Sequence, residues 1–212
     1  RWLRSKLQTL VQTVDKNLNK YDITRAARAL QDFTEVLSNW YVRRSRDRFW
    51  GADMTADKTA AYGTLYTALE TLARLAAPFT PFLAEAVWQE LRPGMAEDAA
   101  ESVHLASYPL ADENLIDQKL EEDMEEVQLL VTLGHAARNS AQMKTRQPLS
   151  EMLIVSDHPL DGAMLEQVLD ELNVKSASYV TEAGELLDYE LKPQLRTLGR
   201  RLGALVPKVR QV

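Results

Sequence analysis

Four arginines and four aromatic rings share one short stretch, Asn39-Trp40-Tyr41-Val42-Arg43-Arg44-Ser45-Arg46-Asp47-Arg48-Phe49-Trp50. Guanidinium forks pair with phosphate oxygens, and flat rings stack on unpaired bases at about 1 to 3 kcal/mol per base. The chemistry on offer is nucleic-acid binding, with Arg43, Arg44, Arg46 and Arg48 meeting phosphates and Trp40, Tyr41 or Trp50 giving a stacking surface. A plainer reading stands beside it: Trp40 and Phe49 belong to a core, while the arginines form a solvated face or pair with Asp32, Glu35 and Asp47.

Two further basic groups invite the same question. Arg138-Asn139 through Lys144-Thr145-Arg146-Gln147-Pro148 ends a long helical pattern, and positive charge there serves the helix macrodipole whether or not RNA is near. Arg138, Lys144 and Arg146 are candidate RNA contacts of second rank. The third group is one-signed: Lys192, Arg196, Arg200, Arg201, Lys208 and Arg210 have no acidic residue among them, the pattern of a tail, a linker or a polyanion contact. Opposed to these is a block running from Glu97, Asp98 and Glu101 through Asp112, Glu113, Asp117, Glu121, Glu122, Asp123, Glu125 and Glu126, offset by Lys119 alone. It would repel phosphate and reads as the solvated face of a helix.

Catalytic chemistry finds no such cluster. There is no cysteine, which removes thiolate zinc sites, disulfides and cysteine nucleophiles. His104, His135 and His158 have no ligand spacing, and no Gly-rich phosphate loop, nucleophile elbow or acid/base pair is present. No site is expected for a metal or cofactor.

The elements that must position these residues follow from periodicity. The chain has 212 residues and a net charge of -6, enough for one or two domains. No apolar run approaches the length that crosses a bilayer. Arg1 opens directly onto an amphipathic pattern without a signal-peptide core, so the chain is expected to be part of something longer. Leu3, Leu7, Leu10, Val11, Val14 and Leu18 stripe one helix; Asp22 caps a second carrying Ile23, Ala26, Ala27, Leu30, Phe33, Leu37 and Trp40 inward. A third runs from about Asp57 to Pro78. Thr80-Pro81 starts a fourth, ending near Leu91, with Phe82, Leu83, Val87 and Leu91 expected inside. A fifth runs from about Glu113 to Gln142, after a docking segment at Ser102 to Pro109.

Beyond it the period switches. Met152 to Val155 reads as a strand, Leu160 to Leu172 as a helix ending at Asn173, Val174 to Val180 and Leu186 to Leu191 as strands, and Gln194 to Val206 as a helix. The expected fold is mainly α: an antiparallel helical bundle over residues 1–143, followed by a small α/β module (strand-helix-strand-strand-helix) over 144–212.

Several of these stretches closely resemble the post-catalytic helical bundle of isoleucyl-tRNA synthetases, which are class I aminoacyl-tRNA synthetases. Tyr21 to Trp50 does so through Asp22-Ile23-Thr24-Arg25-Ala26-Ala27-Arg28 and Leu37-Ser38-Asn39-Trp40-Tyr41-Val42-Arg43-Arg44-Ser45-Arg46. Ala76-Ala77-Pro78-Phe79-Thr80-Pro81-Phe82-Leu83-Ala84-Glu85 is similar to a helix-breaking segment shared with the valine and leucine enzymes. Asn39 to Trp50, Arg138-Asn139 with Lys144 to Leu149, and Tyr189-Glu190-Leu191-Lys192-Pro193 with Leu198 to Gly203 look like the isoleucine enzyme in particular. At Gln142-Met143 the sequence departs from the small residue and isoleucine of the family pattern.

The resemblance implies an anticodon-binding region that engages the anticodon stem-loop of tRNA(Ile). It implies a monomeric, cytoplasmic ligase with no membrane partner, in which the catalytic and editing domains of the same full-length chain hold the chemistry. ATP and magnesium would belong to that catalytic domain, whose signatures, like the family's zinc module, are not in this sequence. Two alternatives remain: a module that docks another domain of the same ligase, and the equivalent region of a valyl- or leucyl-tRNA synthetase.

Overall fold

A computed structural model describes residues 1–180. The expected strand at 186–191, the last helix and the basic tail lie outside the described residues. Two compact units divide the chain at Leu130/Val131, a boundary inside the long helix, where composition had suggested the end of that helix.

The first unit is built on α1 (Trp2–Leu18), α2 (Ile23–Val36) and α4 (Ala56–Ala76). Their inward stripes, Leu3, Leu7, Leu10, Val11 and Val14, then Ala26, Leu30, Phe33 and Leu37, then Ala68 and Leu75, form one buried cluster. Burying each large aliphatic side chain is worth about 1.5 to 3 kcal/mol. The turn that follows α1 closes at Tyr21, which takes the left-handed conformation at φ 58°, so that the Tyr21 and Asp22 amides reach back to Leu18 O and Asn17 O at 2.9 Å. The Asp22 carboxylate then accepts from the Arg25 amide at 3.1 Å and starts α2, as expected.

α5 spans Pro81–Leu91, but its buried face differs from the expected one. Ala84 and Trp88 are inside, packed with Ala73, Ala77 and Val103, whereas Phe82 and Leu83 are 92% and 65% exposed. The indole decides the rotation: it is the largest apolar group on the helix, and its Nε1 donates to Ala100 O at 3.1 Å. Thr80 does not cap with its side chain; its hydroxyl donates back to Ala76 O at 3.4 Å. The segment after α5 docks on the same face, where Glu85 accepts from the Ser102 hydroxyl at 2.8 Å and the Val103 amide at 2.9 Å.

The fifth long helix, α6 (Gln118–Ser140), begins later than its periodicity suggested. Asp112 caps a separate short turn at Glu113–Leu115, and the Asp117 carboxylate accepts from the Leu120 amide at 3.1 Å to open the helix proper. Met124, Val127, Leu130 and Val131 are buried. One member of the acidic block is not solvated: Glu121 is 7% exposed and accepts from the Ser5 hydroxyl and, at 2.9 Å, from the Thr9 hydroxyl. An i, i+4 pair of hydroxyls on α1 replaces the water this carboxylate would lose on burial.

In the second unit, β1 (Met152–Ile154), α7 (Gly162–Leu172) and β2 (Ala177–Tyr179) form a parallel βαβ unit, with Met152 opposite Ala177 and Ile154 opposite Tyr179. Val168, Leu172, Ile154, Leu160 and Val174 are buried. α7 ends on Asn173 at φ 53°, the expected left-handed cap. Gly134 of α6 lies so close to Leu172 that a Cβ would overlap it. Among the described residues no helix is long and apolar enough to cross a membrane.

Candidate nucleic-acid interface

The basic-aromatic stretch is helical, and its phase is set by one inserted residue. Leu37–Val42 is a π-helical turn in which the Arg43 amide donates to Ser38 O, five residues back. The inward positions Phe33, Leu37, Tyr41, Ser45 and Phe49 recur every fourth residue. In an α-helix sixteen residues overrun whole turns by about 160°, and one extra residue brings that to roughly 60°. The π turn thereby keeps Leu37, Ser45 and Phe49 buried. Such turns recur at functional sites because they re-aim side chains without ending the helix.

The inward row is fastened to α4. Tyr41 donates its hydroxyl to Ala61 O at 3.0 Å, and Tyr62 donates to Phe49 O at 3.3 Å. The Phe49 and Tyr62 rings lie 5.0 Å apart, with Tyr41 edge-on to Phe49 at 6.3 Å. Below them, α3 (Arg46–Trp50) ends at Gly51, whose carbonyl accepts from Lys58 Nζ at 2.6 Å. Arg48 makes a two-point pair with the Asp57 carboxylate, 2.7 Å on each nitrogen. That hydrogen bond holds the Asp57 carboxyl below its ordinary range.

What remains outward is a row of Arg43, Arg46 and Trp50, flanked by half-buried Trp40, Arg44 and Arg48. Each tryptophan lies under an arginine one turn away: Arg44 stands 5.9 Å over the Trp40 ring and Arg46 5.1 Å over Trp50. Trp50 is 75% exposed. Its indole, with one face under a cation, is the most open stacking platform of the stretch. Tyr41 packs against the main core and uses its hydroxyl internally, Arg48 is paired with Asp57, and Arg43 donates its Nε to Asn39 O at 2.8 Å. Arg43, Arg44, Arg46, Trp40 and Trp50 are the members of the stretch that the fold leaves exposed or half-buried outside the inward row and the Asp57 pair.

Arg138 leaves the candidate set. It is 4% exposed, and its guanidinium donates to four carbonyls: Lys144 O and Gln147 O at 3.1 Å, Leu172 O at 2.6 Å and Asn173 O at 3.2 Å. The charge meets the C-terminal end of α7 and the turn after α6, where carbonyls lack helical partners. Lys144 and Arg146 are exposed on that turn. Sequence reasoning missed the supports, Asp57, Lys58 and Tyr62; the available signal was the four-residue spacing of Leu37, Tyr41 and Phe49, too long for a plain α-helix.

A helical bundle that turns a row of arginines and an open indole outward has the chemistry of an RNA-recognition module, and the chain belongs to the family described as the anticodon-binding domain of tRNA ligase, whose model matches residues 1–153. Its relatives are more particular. An isoleucine–tRNA ligase of Clostridium novyi (strain NT) is 45% identical over 211 residues, 100% of this chain and 20% of that protein. That of Thermus thermophilus is 46% identical over 216 residues, 100% of this chain and 21% of the other. That of Dehalococcoides mccartyi (strain CBDB1) is 49% identical over 180 residues, 83% of this chain and 18% of the other. The chain spans about a fifth of the length of these relatives.

Proposed function

We propose that this chain is the tRNA-binding part of an isoleucine–tRNA ligase. It engages the anticodon stem-loop of tRNA(Ile) and positions that tRNA for ATP-dependent aminoacylation by a catalytic domain elsewhere in the same ligase. ATP and magnesium are assigned to that domain and no cofactor to the residues present here. As proposed, the ligase is a cytoplasmic monomer. The observation that carries the proposal is the outward row of Arg43, Arg46 and Trp50, held by an inward row bonded to α4. Arginines on a fixed helix neutralise backbone phosphates, and an open indole receives a splayed base. Lys144 and Arg146 are assigned to RNA as a second basic patch.

The test is a salt titration of the chain against isoleucine tRNA transcript, with valine tRNA and an anticodon-scrambled isoleucine tRNA as competitors. Preferential, salt-sensitive binding that scrambling abolishes supports the anticodon role. Equal binding of all three leaves general backbone contact only.

A second reading, a module that docks another part of the ligase, is favoured by one observation: an apolar groove of about 360 Å³ between α2, α4 and α5, with Leu83 at its wall. Absence of any RNA affinity at low salt would favour it.

A further inference from the structure

The turn after α6 encloses an open concavity of about 520 Å³ lined by Asn139, Gln142, Met143, Lys144, Thr145 and Arg146. Small-ligand sites fall between about 300 and 1,000 Å³. Its framework is held from behind, since buried Arg138 donates to Lys144 O and Gln147 O, and the Asn173 amide donates to Thr145 O at 3.1 Å. Its accessible groups are two cations, Lys144 and Arg146, and two primary amides, Asn139 and Gln142, all four exposed. None of these side chains has a partner among the described residues.

Gln142 adds an independent sign. α6 closes with a 6→1 bond from the Met143 amide to Arg138 O at 2.8 Å and a 5→2 bond from Gln142 to Asn139 O at 3.1 Å. That closure puts Gln142 at φ 55°. Glycine occupies this position without strain, and other residues at about 1 to 2 kcal/mol. Tyr21 takes the same conformation after α1, but only at Gln142 does the strained residue face a concavity with two cations beside it.

We propose that this concavity receives one unpaired anticodon nucleotide of the bound tRNA. Lys144 and Arg146 pair with the phosphates on either side, and the Asn139 and Gln142 amides meet the base edge. A primary amide presents a donor beside an acceptor, the complement of the adjacent acceptor and donor on a base edge, whereas a lysine or arginine offers donors alone. The subsite rests on the tRNA-binding proposal above and adds base discrimination to it.

Binding of the isoleucine tRNA transcript and its anticodon-scrambled form is measured across a salt series, with the 212-residue chain and its variants. The Lys144→Ala, Arg146→Ala double variant is expected to weaken both complexes and to flatten the salt slope by somewhat under two units. Gln142→Gly and Asn139→Ala are expected to leave that slope alone and to reduce the preference for the unscrambled transcript about five- to a hundredfold. Gln142→Gly keeps the left-handed backbone and melts no lower than the parent chain, so lost preference in it is not lost folding.

Retention of full preference by both amide variants overturns the subsite, as does an unchanged slope in the double variant. If Arg43→Ala and Arg46→Ala still weaken binding in those cases, the tRNA proposal stands without it. No salt-sensitive affinity of the parent chain for either transcript overturns both.

Discussion

Arg46 and Trp50 differ from their neighbours in what the fold asks of them. Trp50 is largely solvent-exposed and Arg46 stands over its ring, so removing either takes little from the core. Trp50→Ala is expected to leave the melting temperature nearly unchanged and to weaken tRNA binding by about five- to a hundredfold, the loss of one stacked base. Arg46→Ala is expected to flatten the salt slope by somewhat under one unit. Arg48→Ala should do the reverse, lowering the melting temperature through the lost Asp57 pair with little change in slope. A slope that flattens equally in Arg48→Ala would show that this pair opens on RNA. Arg138 carries the opposite expectation. Arg138→Met takes a donor from four carbonyls around a buried position, of which Lys144 O and Asn173 O keep a backbone amide, and is expected to destabilise its unit by about 2 to 4 kcal/mol in denaturant unfolding. Its type and its place at a helix end were legible in the sequence. Its burial was not, because a cation that serves a helix dipole from solvent and one that clamps carbonyls from inside look alike in one dimension.

At the scale of elements, local chemistry was readable and rotation was not. Asp22 marks a helix end by its side-chain acceptor, and Pro81 and Asn173 by their backbone preferences, and each does so here. Which side of α5 turns inward depends on the partner surface of Ala73, Ala77 and Val103, and no period within the helix encodes that. The π turn was hidden for a related reason: four-residue spacing becomes meaningful only once Phe49 is known to meet Tyr62.

Two expectations test such packing. Gly134→Ala places a methyl group against buried Leu172 and should cost about 1 to 3 kcal/mol, read by denaturant unfolding. Glu85 tests the docked segment. Its carboxyl is held below the ordinary range, first by the Gln89 amide, then by the Ser102 hydroxyl, with the Val103 amide adding to both. Because the folded state binds this proton less readily than the unfolded chain, the stabilisation is whole above the unfolded value of about 4.3 and is lost as pH falls through the lower folded one. Amide protection over residues 102–105, corrected for intrinsic exchange, should therefore exceed that of Glu85→Gln at neutral pH and converge with it in acid. A difference that persists in strong acid would mean that the carboxylate is not what holds the segment.

For the whole molecule, a net charge of -6 stands beside a proposed polyanion partner, and segregation resolves the conflict. The arginines assigned to phosphates in the first unit, Arg43, Arg44 and Arg46, fall within residues 43–48, while Glu122, Glu125 and other exposed acids are carried by α6. Two charges about 20 Å apart in water interact by only roughly 0.2 kcal/mol, and salt removes most of that. Reversing an exposed acid away from the site should therefore change affinity about twofold per phosphate within range, and only at low salt. Glu122→Lys is the clean case, since Glu122 is exposed and makes no ion pair among the described residues. It is expected to raise affinity modestly for isoleucine, valine and scrambled transcripts alike, with the gain gone near physiological salt. A gain that survives salt, or that favours one transcript, would place the acidic side of α6 against RNA and move the interface away from the Arg43 to Trp50 row. A uniform, salt-erased gain would leave that row, and the turn at Lys144 and Arg146, as the places where specificity is to be sought.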